Sequence, residues 1–149
     1  MKEYLIRIFT LLIIALAFNA CASKPTHIEL VVKSSNDLNL DINKVPSPLM
    51  LTFYELESAE NFLKFDYWTL LSDSGKNLNS DLISQSKNII IPNQEQTYKI
   101  LFEKNTKFLG IVGQFRDIQN SEKWKEVINL KTENYNYYEI KLNNNKIEK

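Results

Sequence analysis

The sequence predicts an all-β, mainly antiparallel sandwich of two sheets that follows an export signal. Residues 28–32 and 97–102 alternate apolar and polar side chains, which is the two-residue period of a strand with one buried face. Short apolar runs then recur roughly every 8–12 residues, without long amphipathic helices between them. With 149 residues, 44% hydrophobic and 24% charged, the chain has the size and composition of one folded domain.

Several segments have the length and composition of strands. Residues 49–56 and 108–115 are almost continuously apolar, and Pro92 ends another strand because proline cannot donate to a sheet hydrogen-bond ladder. Gly110 and Gly113 lie in such a run without a basic cluster beside them, which favours a bulge or a close backbone approach over a nucleic-acid clamp. The predicted strands are 28–32, 49–56, 89–91, 97–102, 108–115, 124–130 and 135–142.

A small helical insert over about residues 58–84 is predicted to interrupt the strands. Ser58 is the expected N-cap of a first short helix, and Asp66 is the expected cap of a second turn. Large aromatic side chains are mostly core residues. Trp68 in the insert and Trp124 at the start of the sixth predicted strand are therefore both expected to be buried.

The first 20 residues are predicted to be a signal peptide. Two basic residues, Lys2 and Arg7, precede the apolar run 8–18, which is too short for a span of about 20 apolar residues but suits a signal-peptide core. Ala20 then precedes Cys21, an arrangement that resembles the lipobox of bacterial lipoproteins. The resemblance implies cleavage before Cys21 and acylation of that cysteine. An uncleaved anchor, or an ordinary signal peptide with an incidental cysteine, is the alternative.

Cleavage at this point divides the chain into a signal peptide (1–20), a lipidated tether (21–26) and a sandwich domain (27–149). Two or more acyl chains hold a protein stably on a membrane, whereas one chain binds only marginally. Ala22 stands where an aspartate marks inner-membrane retention in many bacteria. This resemblance points to the outer membrane, with the domain facing the periplasm.

Charge and residue counts argue against several function classes. Lys and Arg number 18, as do Asp and Glu, and Arg7 and Arg116 are the two arginines, so no basic patch for nucleic acid is expected. A single cysteine excludes an internal disulfide and a multi-cysteine metal site. His27, the one histidine, lies beside the tether and is a poor catalytic or zinc-binding candidate. No enzyme activity, cofactor or metal is predicted.

The polar segment between the first two predicted strands mixes turn formers with apolar residues. Its asparagines and aspartates fix turns by hydrogen-bonding to nearby backbone. The apolar residues are Leu38, Leu40, Ile42 and Val45. Loops that carry apolar side chains outward often mark binding surfaces. The alternative is that these side chains fold back onto the sandwich.

Several of these features, in this order and spacing, resemble the TssJ family, small outer-membrane lipoproteins of the type VI secretion system. They are Cys21, strand 28–32, Pro46-Ser47-Pro48 before a strand ending Tyr54-Glu55-Leu56, the insert with Phe62, Phe65 and Trp68, Leu78 with Asp81-Leu82, Pro92, and 110–117 followed by Trp124. Phe115-Arg116-Asp117 followed by a tryptophan is the most telling motif. Asn19 in the lipobox and Gln114 depart from the family's pattern.

The resemblance implies a transthyretin-like sandwich of two sheets with a helical addition. It also implies a structural role, in which the lipoprotein anchors a secretion membrane complex by binding the periplasmic domain of the inner-membrane protein TssM. The family's contact surface is the loop between the first two strands, with Leu38, Leu40 and Ile42 here as the expected apolar anchors. The implied partner-binding residues are Asn36, Asp37, Leu38, Asn39, Leu40, Asp41, Ile42, Asn43, Lys44, Val45 and Pro46.

Two other functions remain open from the residues alone. One is a periplasmic ligand-binding or carrier lipoprotein outside any secretion system, with a small hydrophobic ligand in the sandwich. The other is a periplasmic hydrolase built on a carboxylate pair, for which Glu55 and Glu57 share a strand face. Sequence spacing alone does not place two carboxylates at a catalytic distance.

Overall fold

The structure is a computed structural model that describes residues 2–4, 7 and 24–149, without the side chains of residues 73–75. Cys21 and most of the predicted signal peptide lie outside the described residues. The fold described below is that of the predicted sandwich domain.

Within residues 24–149, eight strands form two four-stranded sheets. The strands are β1 (His27–Ser34), β2 (Leu49–Leu56), β3 (Leu82–Ile90), β4 (Glu95–Leu101), β5 (Phe108–Gly113), β6 (Lys125–Asn129), β7 (Tyr135–Asn143) and β8 (Lys146–Glu148). The first sheet has the order β4-β1-β7-β8 and the second the order β3-β2-β5-β6. In this part of the chain β1 and β7 pair in parallel, and the other pairs are antiparallel. The predicted fold class is confirmed.

The inner faces of the two sheets enclose the main core. Alternate residues of β1, such as Leu30 and Val32, are buried in one cluster with Leu51 of β2, Ile111 of β5 and Ile140 of β7. The period of two in β1 thus reflects one covered and one open face. The space between the sheets is filled by protein side chains, so the structure gives no support to a hydrophobic ligand held there.

The two middle strands of the second sheet, β2 and β5, are covered on both faces. Tyr54 of β2 and Val112 of β5 point away from the main core and pack in a second cluster with Phe62 and Leu70 of the insert. Burial raises the pKa of the Tyr54 phenol to about 12. A strand buried on both faces has no polar side to alternate with. This explains why β2 and β5 are continuous apolar runs in the sequence.

The insert consists of two short α-helices and a 3₁₀ helix. They are α1 (Glu60–Lys64), α2 (Tyr67–Leu71) and the 3₁₀ helix Ser72–Asp81. The Asp66 carboxylate caps α2 as predicted, accepting from the Thr69 amide at 2.8 Å. The prediction that Ser58 is the N-cap of α1 is wrong, because Ala59 occupies that position. The Ser58 hydroxyl instead accepts from the Glu60 amide at 3.2 Å.

Two contacts hold α1 on the second sheet. Lys125 Nζ donates to the carbonyl oxygens of Phe62, Leu63 and Phe65 at 2.9, 2.8 and 2.7 Å. These carbonyls belong to the end of a short helix, where no intrahelical donor is available. Gly110 supplies the second contact, since a Cβ there would lie 2.8 Å from two Phe62 ring carbons. The predicted close backbone approach at this glycine is confirmed.

The predicted C-terminal end of the insert lies too far along the chain. The insert ends at Asp81, not near residue 84, and β3 begins at Leu82 rather than at residue 89. β3 is an edge strand that pairs with β2 alone among the described strands. Its middle, including Ser86 and Lys87, is polar and exposed. An edge strand with little buried side-chain surface carries no apolar period that identifies it in the sequence.

The two tryptophans have different environments. Trp68 is 71% exposed, so the prediction that it is a core residue is wrong. It lies on the outer side of α2, against the edge of Tyr67. Trp124 is half-buried, packs edge-to-face on Tyr67 with ring centroids 5.3 Å apart, and has Lys125 Nζ 4.8 Å from its ring centroid.

Substitution of the two tryptophans by alanine is expected to give unequal losses of stability. Trp68→Ala should change the free energy of unfolding by less than about 0.5 kcal/mol, as for other surface positions. Trp124→Ala removes the half-buried ring between the insert and the second sheet, and should cost about 1–3 kcal/mol. Urea unfolding of both variants measures the difference. A loss at Trp68 equal to or above that at Trp124 would contradict this packing.

Candidate functional site

The β1–β2 loop, residues 35–48, is folded on itself and ends in a tight tip. The Ser47 amide donates to the Leu38 carbonyl at 3.1 Å, and the Asp41 amide to the Val45 carbonyl at 2.9 Å. The Asp41 carboxylate accepts from the amides of Asn43 and Val45, both at 2.8 Å. The tip, residues 41–45, is thus closed by its own backbone and by one aspartate, which is the role expected of an aspartate in a turn.

Asn39 ties the base of this loop to the rest of the domain. It is buried, and its φ of 51° lies in the left-handed region that asparagine tolerates better than most residues. Its Nδ2 donates to the Pro48 carbonyl at 2.8 Å, and its Oδ1 accepts from the Arg116 amide at 2.8 Å. Its own amide donates to the Asn144 carbonyl at 2.6 Å. These bonds join the loop to the β5–β6 connection and the β7–β8 turn.

Leu38 is not an exposed anchor. Its side chain is 0% exposed and belongs to the main core between the sheets. The prediction that Leu38 contributes an apolar contact to a partner is therefore wrong, because this residue folds back and closes one end of the sandwich. The loop is rooted in the core by Leu38 and Asn39, and its outer part is available to solvent.

The other predicted site residues differ in their exposure to solvent. Ile42 is 95% exposed at the apex of the tip, next to the exposed Val45. A hydrogen bond from the Ser35 hydroxyl lowers the pKa of the Asp37 carboxyl. Leu40 and Asp41 are half-buried, whereas Asn36, Asp37, Ile42, Asn43, Lys44, Val45 and Pro46 are exposed.

A cleft of about 540 Å³ lies beside the tip. Its walls include Leu40 and Ile42 from the loop, Arg116 and Asp117 from the β5–β6 connection, and Asn144 from the β7–β8 turn. The last three residues were not among the predicted site residues. Arg116 and Asp117 do belong to the motif that resembles the TssJ family, but nothing in the sequence indicates that they lie beside residues 40–42. A tip with two exposed aliphatic side chains next to a charged cleft suits a protein partner better than a small apolar ligand.

The loop and the start of the domain lie at opposite ends of β1. Thr26, just before β1, is buried, and its carbonyl accepts from the Phe102 amide at 3.0 Å. Its hydroxyl accepts from the Glu133 amide at 2.8 Å. The eight residues of β1 separate this fixed point from the loop, a distance of about 25 Å. A tether attached at Thr26 therefore leaves the loop at the far end of the domain.

The residues considered as catalytic candidates in the sequence form hydrogen bonds and ion pairs within the fold. His27 Nδ1 lies 2.9 Å from the Pro25 carbonyl oxygen. Glu55 accepts from the Thr106 hydroxyl at 3.0 Å, and Glu57 forms an ion pair with Lys107 at 3.7 Å. Among the described residues, no three His, Cys, Asp or Glu side chains lie close enough to hold a metal ion. No helix in that part of the chain is long and apolar enough to cross a membrane.

Comparison with protein families gives a match over most of the domain. The family model for type VI secretion lipoproteins, a group that includes VasD, EvfM and TssJ, matches residues 26–145. The chain belongs to the type VI secretion lipoprotein family. The resemblance recognised in the sequence is confirmed. No curated protein matches the sequence significantly.

Solved structures share the fold of this family member. The T6SS lipoprotein TssJ1 from Pseudomonas aeruginosa is 25% identical with a TM-score of 0.78, over 83% of this chain and 94% of that chain. Serratia marcescens Lip, a membrane-bound component of the type VI secretion system, is 15% identical with a TM-score of 0.75, over 83% and 95%. A chain from the structure of the T6SS protein TssM C-terminal domain from EAEC is 18% identical with a TM-score of 0.67, over 83% and 96%. The last two similarities concern the fold alone.

Proposed function

We propose that this type VI secretion lipoprotein is held in the outer membrane by acyl chains on Cys21 and faces the periplasm. There it binds the periplasmic domain of the inner-membrane TssM protein and so anchors the secretion membrane complex. Its role is structural, and the binding surface is the outer part of the β1–β2 loop. Membership of the family supports the secretion role. A chain from the solved structure of the TssM C-terminal domain has the same fold as this protein. This similarity supports TssM as the partner.

The observation that carries the proposal is the loop tip at the far end of β1 from the tether. Ile42 is 95% exposed, although burying a large aliphatic side chain is worth about 1.5–3 kcal/mol. The Asp41 hydrogen bonds and the Asn39 contacts fix the tip before any partner arrives. A preformed loop loses little conformational entropy on binding, so more of the contact energy appears as affinity. An exposed isoleucine on a fixed tip is a suitable anchor for a partner's pocket.

A calorimetric titration of the purified protein with the periplasmic domain of TssM tests this function. We expect saturable binding with a negative heat-capacity change, because apolar surface is removed from water. The periplasmic domain of an unrelated inner-membrane protein is the control and should give no heat of binding. Absence of binding to TssM, with both proteins folded by circular dichroism, would contradict the proposed function.

A further inference from the structure

The outer face of the first sheet carries exposed apolar and aromatic side chains at the end where β1 begins. Leu101, Tyr135 and Tyr137 are 67%, 53% and 55% exposed. They lie around His27 and Glu29 on this face, because Leu101 and Tyr135 pair with His27 of β1 from opposite sides, and Tyr137 pairs with the next outward residue, Glu29. The insert packs on the second sheet and leaves this face open. We call Leu101, Tyr135 and Tyr137 the tether-end patch.

The opposite end of the same face has a different character. Lys33, near the loop end of β1, forms ion pairs with Glu139 at 2.8 Å and with Glu95 at 3.7 Å. Near Thr26 this face thus carries exposed apolar and aromatic side chains around one ion pair, Glu29 with Lys99 at 4.0 Å, whereas its loop end carries paired charges.

The first described residues of the domain lead directly to the tether-end patch. Pro25 and His27 form part of an open cleft of about 500 Å³ together with Leu101 and Tyr135. Pro25 is four positions after Cys21, so the fully extended chain between them reaches at most about 14 Å. If Cys21 carries acyl chains in a bilayer, as proposed above, Pro25 is within that distance of the lipid surface, and the patch lies next to Pro25.

We propose that the tether-end patch docks the domain on the lipid surface at the boundary between headgroups and acyl chains. Tyrosine suits this boundary, because its ring is apolar and its hydroxyl reaches water. Leu101 adds an aliphatic side chain. Lys99 in the same cleft lies 4.0 Å from Glu29, but its side chain is 81% exposed and its charge can reach lipid phosphates. Docking at this end directs the β1–β2 loop away from the membrane. The inference rests on the proposed acylation of Cys21.

Fluorescence quenching in vesicles tests this docking. The acylated full-length protein, purified from membranes, is reconstituted into vesicles of phosphatidylethanolamine and phosphatidylglycerol (3:1) that contain lipids brominated on the acyl chain. Two variants carry an added tryptophan on β4: Leu101→Trp in the patch and Glu95→Trp at the other end of the strand, about 20 Å away. Trp68 and Trp124 give both variants the same background. The bromines should quench the tryptophan at 101 at least twofold more than that at 95. Replacing Tyr135 and Tyr137 with serine should reduce this difference.

The outcomes separate the docking from the anchor. Equal quenching of the two variants, in protein that floats with the vesicles, overturns the docking and leaves the anchor in place. Protein that does not float with the vesicles at all overturns both the acyl anchor and the docking that rests on it. Stronger quenching at 101 that is unaffected by the two serines overturns the role given to Tyr135 and Tyr137.

Discussion

Replacing Cys21 with serine is expected to abolish acylation and to transfer the protein from the outer membrane to the soluble fraction. Each buried CH₂ of an acyl chain contributes about 0.8 kcal/mol to membrane binding, so loss of the chains removes most of the anchoring energy. The rest of the domain offers no strong electrostatic replacement, because basic and acidic residues number 18 each over the whole chain. The tether-end patch alone is a small surface that gives reversible binding at best. Incorporation of labelled palmitate and density-gradient fractionation measure the two effects.

A neighbouring substitution, Ser23→Ala, serves as the control and should leave labelling and fractionation unchanged. If the Cys21→Ser protein still sediments with the outer membrane, the anchor is not on this cysteine. The apolar run 8–18 would then be the first segment to test, since an uncleaved signal sequence is the main alternative. Mass spectrometry of the N-terminus distinguishes the two cases.

The sandwich could be predicted because its strands bury side chains in regular ways. The period of two in residues 28–32 and 97–102 corresponds to β1 and β4 of the first sheet, whose outer face is open. The continuous apolar runs 49–56 and 108–115 correspond to β2 and β5, which are covered on both faces. Both patterns follow from which faces are in contact with water.

The features that could not be predicted depend on tertiary contacts. β3 is an edge strand whose residues are mostly half-buried, so residues 82–88 carry no strand period. The residue type alone predicts Trp68 in the core, whereas the insert turns that side of α2 outward. The pairing of β1 with β7, which is parallel and spans most of the chain, also has no local signal.

The candidate site also combines features that the sequence predicts with features that depend on tertiary contacts. The alternation of asparagine, aspartate and apolar residues predicts that the β1–β2 loop is a binding surface, and this assignment stays a proposal. The sequence does not show which of its apolar residues face outward, because Leu38 and Ile42 are both aliphatic and differ only in where the backbone directs them. The contribution of Arg116 and Asn144 to the cleft arises from the Asn39 hydrogen bonds, which join segments far apart in the sequence.

Ile42→Asp is expected to reduce the affinity for the periplasmic domain of TssM at least tenfold. A tenfold loss corresponds to about 1.4 kcal/mol, and truncating a central apolar anchor typically costs about 2 kcal/mol or more. An aspartate adds the cost of placing an unpaired charge against the partner's apolar surface. Because Ile42 is almost fully exposed and its tip is closed by Asp41, the substitution should not change the free energy of unfolding. Calorimetry measures the affinity, and a secretion assay should show loss of secretion.

A point substitution at the tip is a sharper test than shortening the whole loop. Removing residues 36–46 would also delete Leu38 from the core and the Asn39 bonds to the neighbouring connections, so lost binding would be confused with lost stability. Leu63→Asp, at an exposed leucine of α1, is the matched control and should bind with unchanged affinity. If Leu63→Asp weakens binding while Ile42→Asp does not, the contact lies on the helical insert. An affinity unchanged by both substitutions would exclude these two surfaces and contradict the assignment of the loop tip.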